Sequence, residues 1–204
     1  MQLQEVFGFA GGAIGVYMAV PQARHIRKLG HGDGVSLTYW AVLLLVNASW
    51  LGYGLLIGSP SLIISNVLGF TTSTMVVTAL LKKGWVAWLS VYAAGAVWML
   101  LFKMLPLALI TVLLVAMTFN RLPQIYRSIQ NLRAGVASAV SMRSQYYLAT
   151  AMVLWEVYSF LSGHISLVIT TTTGLVLTAA VILLELAGRR KASRLEALEL
   201  VDGN

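Results

Sequence analysis

Apolar residues run along this chain in long, nearly unbroken stretches, without the one-sided spacing of a surface helix. An apolar stretch of about 20 residues crosses the hydrocarbon core of a bilayer as a helix. The pattern predicts seven such helices, at about 5–24, 36–57, 61–81, 85–102, 105–125, 141–161 and 165–186. The polar breaks are short. Only "IGSP" separates the second and third spans, and only "SGHI" the sixth and seventh, so both pairs read as tight helical hairpins. Gly8, Gly11, Gly12 and Gly15 have the spacing of close helix packing. The tail "RRKASRLEALELVDGN" predicts a short amphipathic helix beyond the last span.

Composition fits the same class. Of 204 residues, 58% are hydrophobic and 10% charged, whereas a soluble domain carries roughly 25% charged residues. Such a chain cannot cover its surface with charge, and its main solvent is lipid. There is no cysteine, which excludes a disulfide framework and a thiolate metal site. No cleavable signal peptide is expected, because Glu5 stands where a basic segment belongs and no A-x-A site follows. No enzyme, metal or cofactor is read from the residues. The phosphate-binding pattern G-x-x-x-x-G-K-[ST] is absent, so ATP hydrolysis is not carried here. The seventh span has no lysine, which excludes a retinal protein.

A net charge of +7 raises nucleic acid as a partner, but basic cytoplasmic loops explain it better. Arg24, Arg27 and Lys28 follow span one, and Lys82 and Lys83 follow span three. Arg121, Arg127, Arg133 and Arg143 surround the loop after span five. Arg189, Arg190, Lys191 and Arg194 follow span seven. Lys103 alone of the 14 basic residues falls on the other side. The N-terminus is therefore expected outside and the C-terminus in the cytoplasm.

The chain also repeats itself. "VPQARHIRKLGHGDGVS" begins at Val20 and "LPQIYRSIQNLRAGVASAVS" at Leu122. Ser36 pairs with Ser141, Trp50 with Trp155, Tyr53 with Tyr158, Gly58 with Gly163 and Gly69 with Gly174, all at an offset of 105. Pro21-Gln22 and Pro123-Gln124 pair at 102, the difference being three added residues in the second cytoplasmic loop. Each repeat holds three helices. Three is odd, so direct fusion would invert the second unit. The 85–102 helix restores a parallel orientation. Parallel repeats around an axis along the membrane normal are a transporter architecture, with the substrate held between them near the midplane.

In these features the chain resembles the PQ-loop superfamily, and most closely the SWEET sugar transporters with their 3+1+3 helices. Each repeat is similar to a bacterial SemiSWEET half. The resemblance spans about residues 5–186 and rests on two Pro-Gln pairs at matching helix ends, two W-x-x-Y motifs and the span count. It implies an all-α membrane protein of two parallel three-helix bundles, at 5–83 and 104–187, joined by a linker helix at 84–103 and followed by a cytoplasmic tail at 188–204. It implies a facilitative sugar transporter in a bacterial cell membrane, working by alternating access. The partners would be a small-molecule substrate and the lipid bilayer, with no nucleic acid and with a homo-oligomer left open. Two other readings stay open. One is a proton-coupled transporter of an amino acid or other small metabolite. The other is a non-transporting receptor of the same architecture.

Four residues are expected to form the substrate site. Trp50 lies eight residues before Gly58 in the outer turn, and Asn66 eight after it. At 1.5 Å per residue both sit about 12 Å below that turn, just outside the midplane of a core about 30 Å thick. Trp155 and Thr171 stand in the same relation to Gly163. An indole at that depth is no interfacial belt residue, and an amide there must be paired or wet. A ring packs on the apolar face of a sugar while an amide reads its hydroxyls. The resemblance adds that SWEETs and SemiSWEETs use Trp and Asn sixteen residues apart at the sugar site. Thr171 stands where the second Asn would be, which leaves one amide and predicts a less polar pocket.

The remaining candidates are gates and a proton site. Proline lacks an N–H and clashes with the carbonyl four residues back, so Pro21 and Pro123, with Gln22 and Gln124, are expected to hinge the cytoplasmic ends of the first and fifth spans. Plant SWEETs carry a further proline at the inner end of the second helix of each bundle. Neither "SLTYWAVL" nor "SMRSQYYLA" has one, as in the bacterial members. Tyr53 and Tyr158, one turn outward from the Trp pair, are candidates for an outer gate, with packing under the interface as the alternative. Glu156 is the candidate proton site, since a carboxylate within a span is a functional candidate by default. It lies about 130° around the helix from the Trp155–Tyr158 direction, at 100° per residue, which turns it from the pocket. Glu185 and Lys103 are expected to snorkel at span ends.

Overall fold

The computed structural model describes residues 2–29, 37–81, 84–135 and 142–202. Ser36, Lys82, Lys83 and Ser141 lie outside the described residues, as do the side chains of Pro21, Gln22, Arg24, Arg27 and Arg143. Every regular element among the described residues is helical. These are α1 (Leu3–Leu29), α2 (Leu37–Ile57), α3 (Pro60–Leu80), α4 (Trp85–Lys103), α5 (Leu107–Thr118), a 3-10 turn (Phe119–Arg121), α6 (Leu122–Ala134), α7 (Met142–Ser162) and α8 (Ile165–Asp202). The α5–turn–α6 series is one rod with an interruption, so the described elements form seven rods.

Five rods are long and apolar enough to cross a membrane: Leu37–Ile57, Pro60–Leu80, Val86–Lys103, Leu107–Ala134 and Ile165–Leu195. The α7 rod falls short on apolarity because it carries Ser144, Gln145 and Glu156, and the side chains of α1 are described only to Tyr17 and at Lys28. Large apolar side chains such as Leu89, Val112, Phe160, Val176 and Leu183 are exposed around the assembly. An apolar exterior of that extent fits lipid as its solvent.

The hairpins form where expected, for local reasons. Gly58 and Gly163 take φ of 68° and 70°, the left-handed conformation that ends a helix at little cost only for glycine. Ser59 then caps α3, its hydroxyl accepting from the Leu62 N–H, and Pro60 occupies the first turn, where a missing N–H costs nothing.

Three boundaries depart from the sequence expectation. First, α1 does not stop near residue 24 but runs as helix past Pro21 to Leu29. Second, the fifth span breaks instead: the 3-10 turn at Phe119–Arg121 comes just before Pro123, in the first turn of α6. That break covers the carbonyl four residues before Pro123, which the proline ring would strike in a regular helix. Third, the tail is not a separate short helix, because α8 continues through it to Asp202. Lys191 of this extension donates to the Leu132 and Arg133 carbonyls at the end of α6, satisfying acceptors a helix C-terminus leaves free.

In packing, α3 lies against both α1 and α2, and α8 against α7 and the α5–α6 rod. Between the halves, α1 packs on α7 and α2 on α5, contacts that are equivalent under the repeat. The first is the more intimate, and Gly11 permits it, since a Cβ there would press on the Trp155 ring of α7. Within the first half, a Cβ on Gly8 or Gly12 would overlap Ser61 or Ser65 of α3. Gly15 differs, with nothing near its Cβ direction among the described residues. The linker α4 packs on α2 and α3, with the Trp98 indole N–H donating to Ser49 Oγ at 2.8 Å.

Candidate functional site

A cavity of about 280 Å³ lies between the halves. Trp50 and Asn66 line it from α2 and α3, and Trp155 and Thr171 from α7 and α8. The four residues picked out by spacing thus share one wall-to-wall space. The repeat relation extends further around it. Leu43 and Leu148, Leu62 and Leu167, and Gly69 and Gly174 are all lining residues, paired at the offset of 105.

The polar lining is unequal. Asn66 Nδ2 donates to the Leu62 carbonyl at 2.8 Å, which uses one amide N–H and leaves a second N–H and Oδ1 for a ligand. Thr171 has no such reserve. Its hydroxyl bonds the Leu167 carbonyl at 2.9 Å and Ser159 Oγ at 2.9 Å, and the residue is buried. The expectation of a single amide is corrected, because Asn47 lines the cavity as well. Its Nδ2 donates to the Leu43 carbonyl at 2.7 Å. Asn47-Ala48-Ser49 matches the glycosylation pattern N-x-[ST], which has no use inside a span. Asn47 lies nearly one helical turn before Trp50, and that spacing was the available signal.

Beyond the cavity, toward Gly58 and Gly163, the space is closed. Tyr53 and Tyr158 are each 1% exposed and share an apolar core with Leu62, Phe102, Ile110, Leu114 and Leu167. Each tyrosine stands edge-on to its tryptophan, Trp50 with Tyr53 at 6.0 Å and Trp155 with Tyr158 at 5.3 Å. Tyr158 also reaches across to the other half, its OH donating to Ser59 Oγ at 2.6 Å. Within the second half, Ser166 pairs with Thr111 at 2.6 Å. Glu5 completes the network around Ser59. Its carboxylate accepts from the Ser61 N–H at 2.7 Å and from Ser59 Oγ at 3.3 Å, and it is buried. Glu5 had entered the sequence reading only as an argument against a leader peptide. A lone acid near a chain start carries no pattern that would have placed it under Ser59.

At the opposite end, Gln124 Nε2 donates to Ser128 Oγ at 3.2 Å, and Ser128 Oγ bonds Glu185 Oε1 at 2.6 Å. Glu185 is therefore no snorkelling residue. It is 2% exposed, wedged between α6 and α8 with Oε2 unpartnered among the described residues. Lys103 is exposed. Glu156 turns from the cavity, as its helical angle predicts, and accepts from the Thr172 hydroxyl of α8. None of the three carboxylates lines the cavity. No group of three or more metal-ligating side chains occurs among the described residues.

Comparison with curated proteins yields no significant match. Residues 6–82, from the first turn of α1 to just past α3, match the family model described as "Sugar efflux transporter for intercellular exchange", a transporter family and not an enzyme family. The resemblance to the SWEET and SemiSWEET transporters is thereby borne out over the first repeat, which is similar to that sugar efflux transporter family.

Proposed function

We propose that this protein is a facilitative transporter that moves a small sugar across a membrane by alternating access, binding it between two parallel three-helix bundles. The seven rods all span, the linker α4 restores the orientation of the second bundle, and the basic ends of α1, α3, α6 and α8 face the cytoplasm. The observation that carries this reading is the pairing of Trp50 and Asn66 with Trp155 and Thr171 around one cavity. Indole faces take the C–H face of a sugar, and amides take its hydroxyls. A volume of about 280 Å³ is near the lower end of small-molecule pockets, roughly 300–1,000 Å³, which suits a hexose.

The gates follow from the two ends. The outer gate is the Tyr53–Tyr158 core with the cross-half hydrogen bond from Tyr158 to Ser59, closed in this conformation. The inner hinge is Pro21-Gln22 and Pro123-Gln124, and the broken helix at Phe119–Arg121 is what supports a hinge on the second side. Transport proceeds downhill without protons, because Glu5, Glu156 and Glu185 all lie off the cavity. A proton-coupled reading draws on Glu185, buried and only partly satisfied. Uptake into proteoliposomes decides between them, using a sugar panel and an amino-acid panel with and without a pH gradient. Sugar accumulation to equilibrium, indifferent to pH, supports the proposal. Amino-acid uptake driven by the gradient overturns it.

A further inference from the structure

We infer that Asn47 is a second substrate-reading amide, and that the cavity holds its sugar in one orientation. The hydroxyl-rich edge lies against α2 and α3, and the less polar face lies against α7 and α8. This deepens the sugar-transport reading above and rests on it.

The argument comes from comparing the two walls position by position. The repeat partner of Asn47 is Met152, which also lines the cavity. Both side chains are admitted by the glycine of the facing helix. A Cβ on Gly69 would overlap Asn47 Oδ1, and one on Gly174 would stand 3.4 Å from Met152 Sδ. The fold thus makes the same room twice and fills it once with an amide and once with a thioether. The partner of Asn66 is Thr171, whose hydroxyl is taken up by Leu167 and Ser159. The partner of Ser65 is Thr170, whose hydroxyl donates to the Ser166 carbonyl. Each asparagine, by contrast, donates one N–H to its own helix. Each keeps a second N–H and Oδ1, for which no hydrogen bond is found among the described residues.

One wall therefore offers two amides with spare donors and acceptors, and the other offers Met152, Leu148 and committed hydroxyls. The oxygen of a sugar hydroxyl set against the second wall would find no spare donor to replace its water, at a cost. One set against the first wall is paired. A pocket with that division has a preferred ligand orientation and accepts a sugar lacking a hydroxyl on its second-wall side.

The test is equilibrium binding to the purified full chain, read by tryptophan fluorescence. The probes are D-glucose, D-galactose, D-mannose and the monodeoxy analogues of whichever binds best. Wild type should bind at least one monodeoxy analogue as well as the parent hexose. It should bind at least one other about tenfold or more weakly, as sites built to pair a hydroxyl do. Asn47→Ala should erase the discrimination at one position while keeping it at those read by Asn66. Met152→Asn, placed where Gly174 leaves room, should create discrimination at a position wild type ignores, and it carries the test if Asn47→Ala does not fold. Hexose binding by wild type with an unchanged deoxy profile in both variants overturns this inference and leaves the sugar reading standing. No hexose binding by wild type overturns both.

Discussion

Replacing Gly69 with alanine puts a methyl group where Asn47 Oδ1 now lies. The new Cβ would fall well under 3.0 Å from that oxygen and 3.1 Å from the amide carbon, closer than a Cβ and an amide can stand. Asn47 must turn away, and its 2.7 Å bond to the Leu43 carbonyl goes with it. The overpacking costs about 1–3 kcal/mol, and the lost hydrogen bond about 0.5–1.5 kcal/mol. Against these stands a helix-propensity gain of about 1 kcal/mol for alanine over glycine. The balance is destabilising. Gly174→Ala is the internal control. Its Cβ meets Met152 Sδ at 3.4 Å, an ordinary contact, so only the propensity gain remains. The propensity gain is common to both variants, so they should separate by about 1.5–4.5 kcal/mol, with Gly69→Ala the weaker. Thermal unfolding in detergent by tryptophan fluorescence measures the first effect, and hexose titration the second. Gly69→Ala should also bind hexose about tenfold more weakly, if one amide contact of about 1.4 kcal/mol is lost. Equal stability and equal affinity of the two variants would refute the Asn47–Gly69 packing.

Other consequences are direct. Tyr158→Phe removes the donor to Ser59 and should weaken outer closure by about 1 kcal/mol, read as an increase of about fivefold in labelling of a cavity thiol from outside. Unchanged labelling would make Tyr158 a packing residue only. Pro123→Ala should heal the break at Phe119–Arg121 and lower exchange flux at unchanged binding. Pro21→Ala, in a backbone already helical on both sides, should lower flux less. Normal flux in Pro123→Ala removes the hinge. Glu156→Gln keeps a hydrogen bond to Thr172 and should transport as wild type, whereas abolished transport would bring back proton coupling.

Much of this was legible before any coordinates. Long apolar runs specify helices by length alone, and the Gly58 and Gly163 turns follow from a conformation only glycine adopts freely. The constant offset of 105 places Trp50 opposite Trp155 without further information, since two copies of one unit must present the same face. What escaped was of another kind. Asn47 has no polar partner in the second repeat, so a search for symmetry passed over it, although the asymmetry is what gives the cavity a direction. Glu5 sits at a helix end and Glu185 at the expected end of the last span, where an acid usually reaches water. Their burial depends on Ser59 and Ser61 in one case and Ser128 in the other, residues 54 or more positions away in sequence. The two prolines look alike in sequence and differ in structure: helix continues past Pro21 to Leu29, whereas a 3-10 turn precedes Pro123.

The central claim is that one cavity between the repeats opens to each side in turn. Gly15 offers the most direct test. It lines the cavity with nothing within 4 Å of its Cβ direction among the described residues, and the chain has no other thiol to confuse the signal. Gly15→Cys in proteoliposomes should react with a membrane-impermeant thiol reagent added outside and, separately, with the same reagent trapped inside. Saturating hexose should slow both reactions. Reactivity from one side only, or reactivity from both sides that hexose leaves unchanged, would contradict alternating access through this cavity.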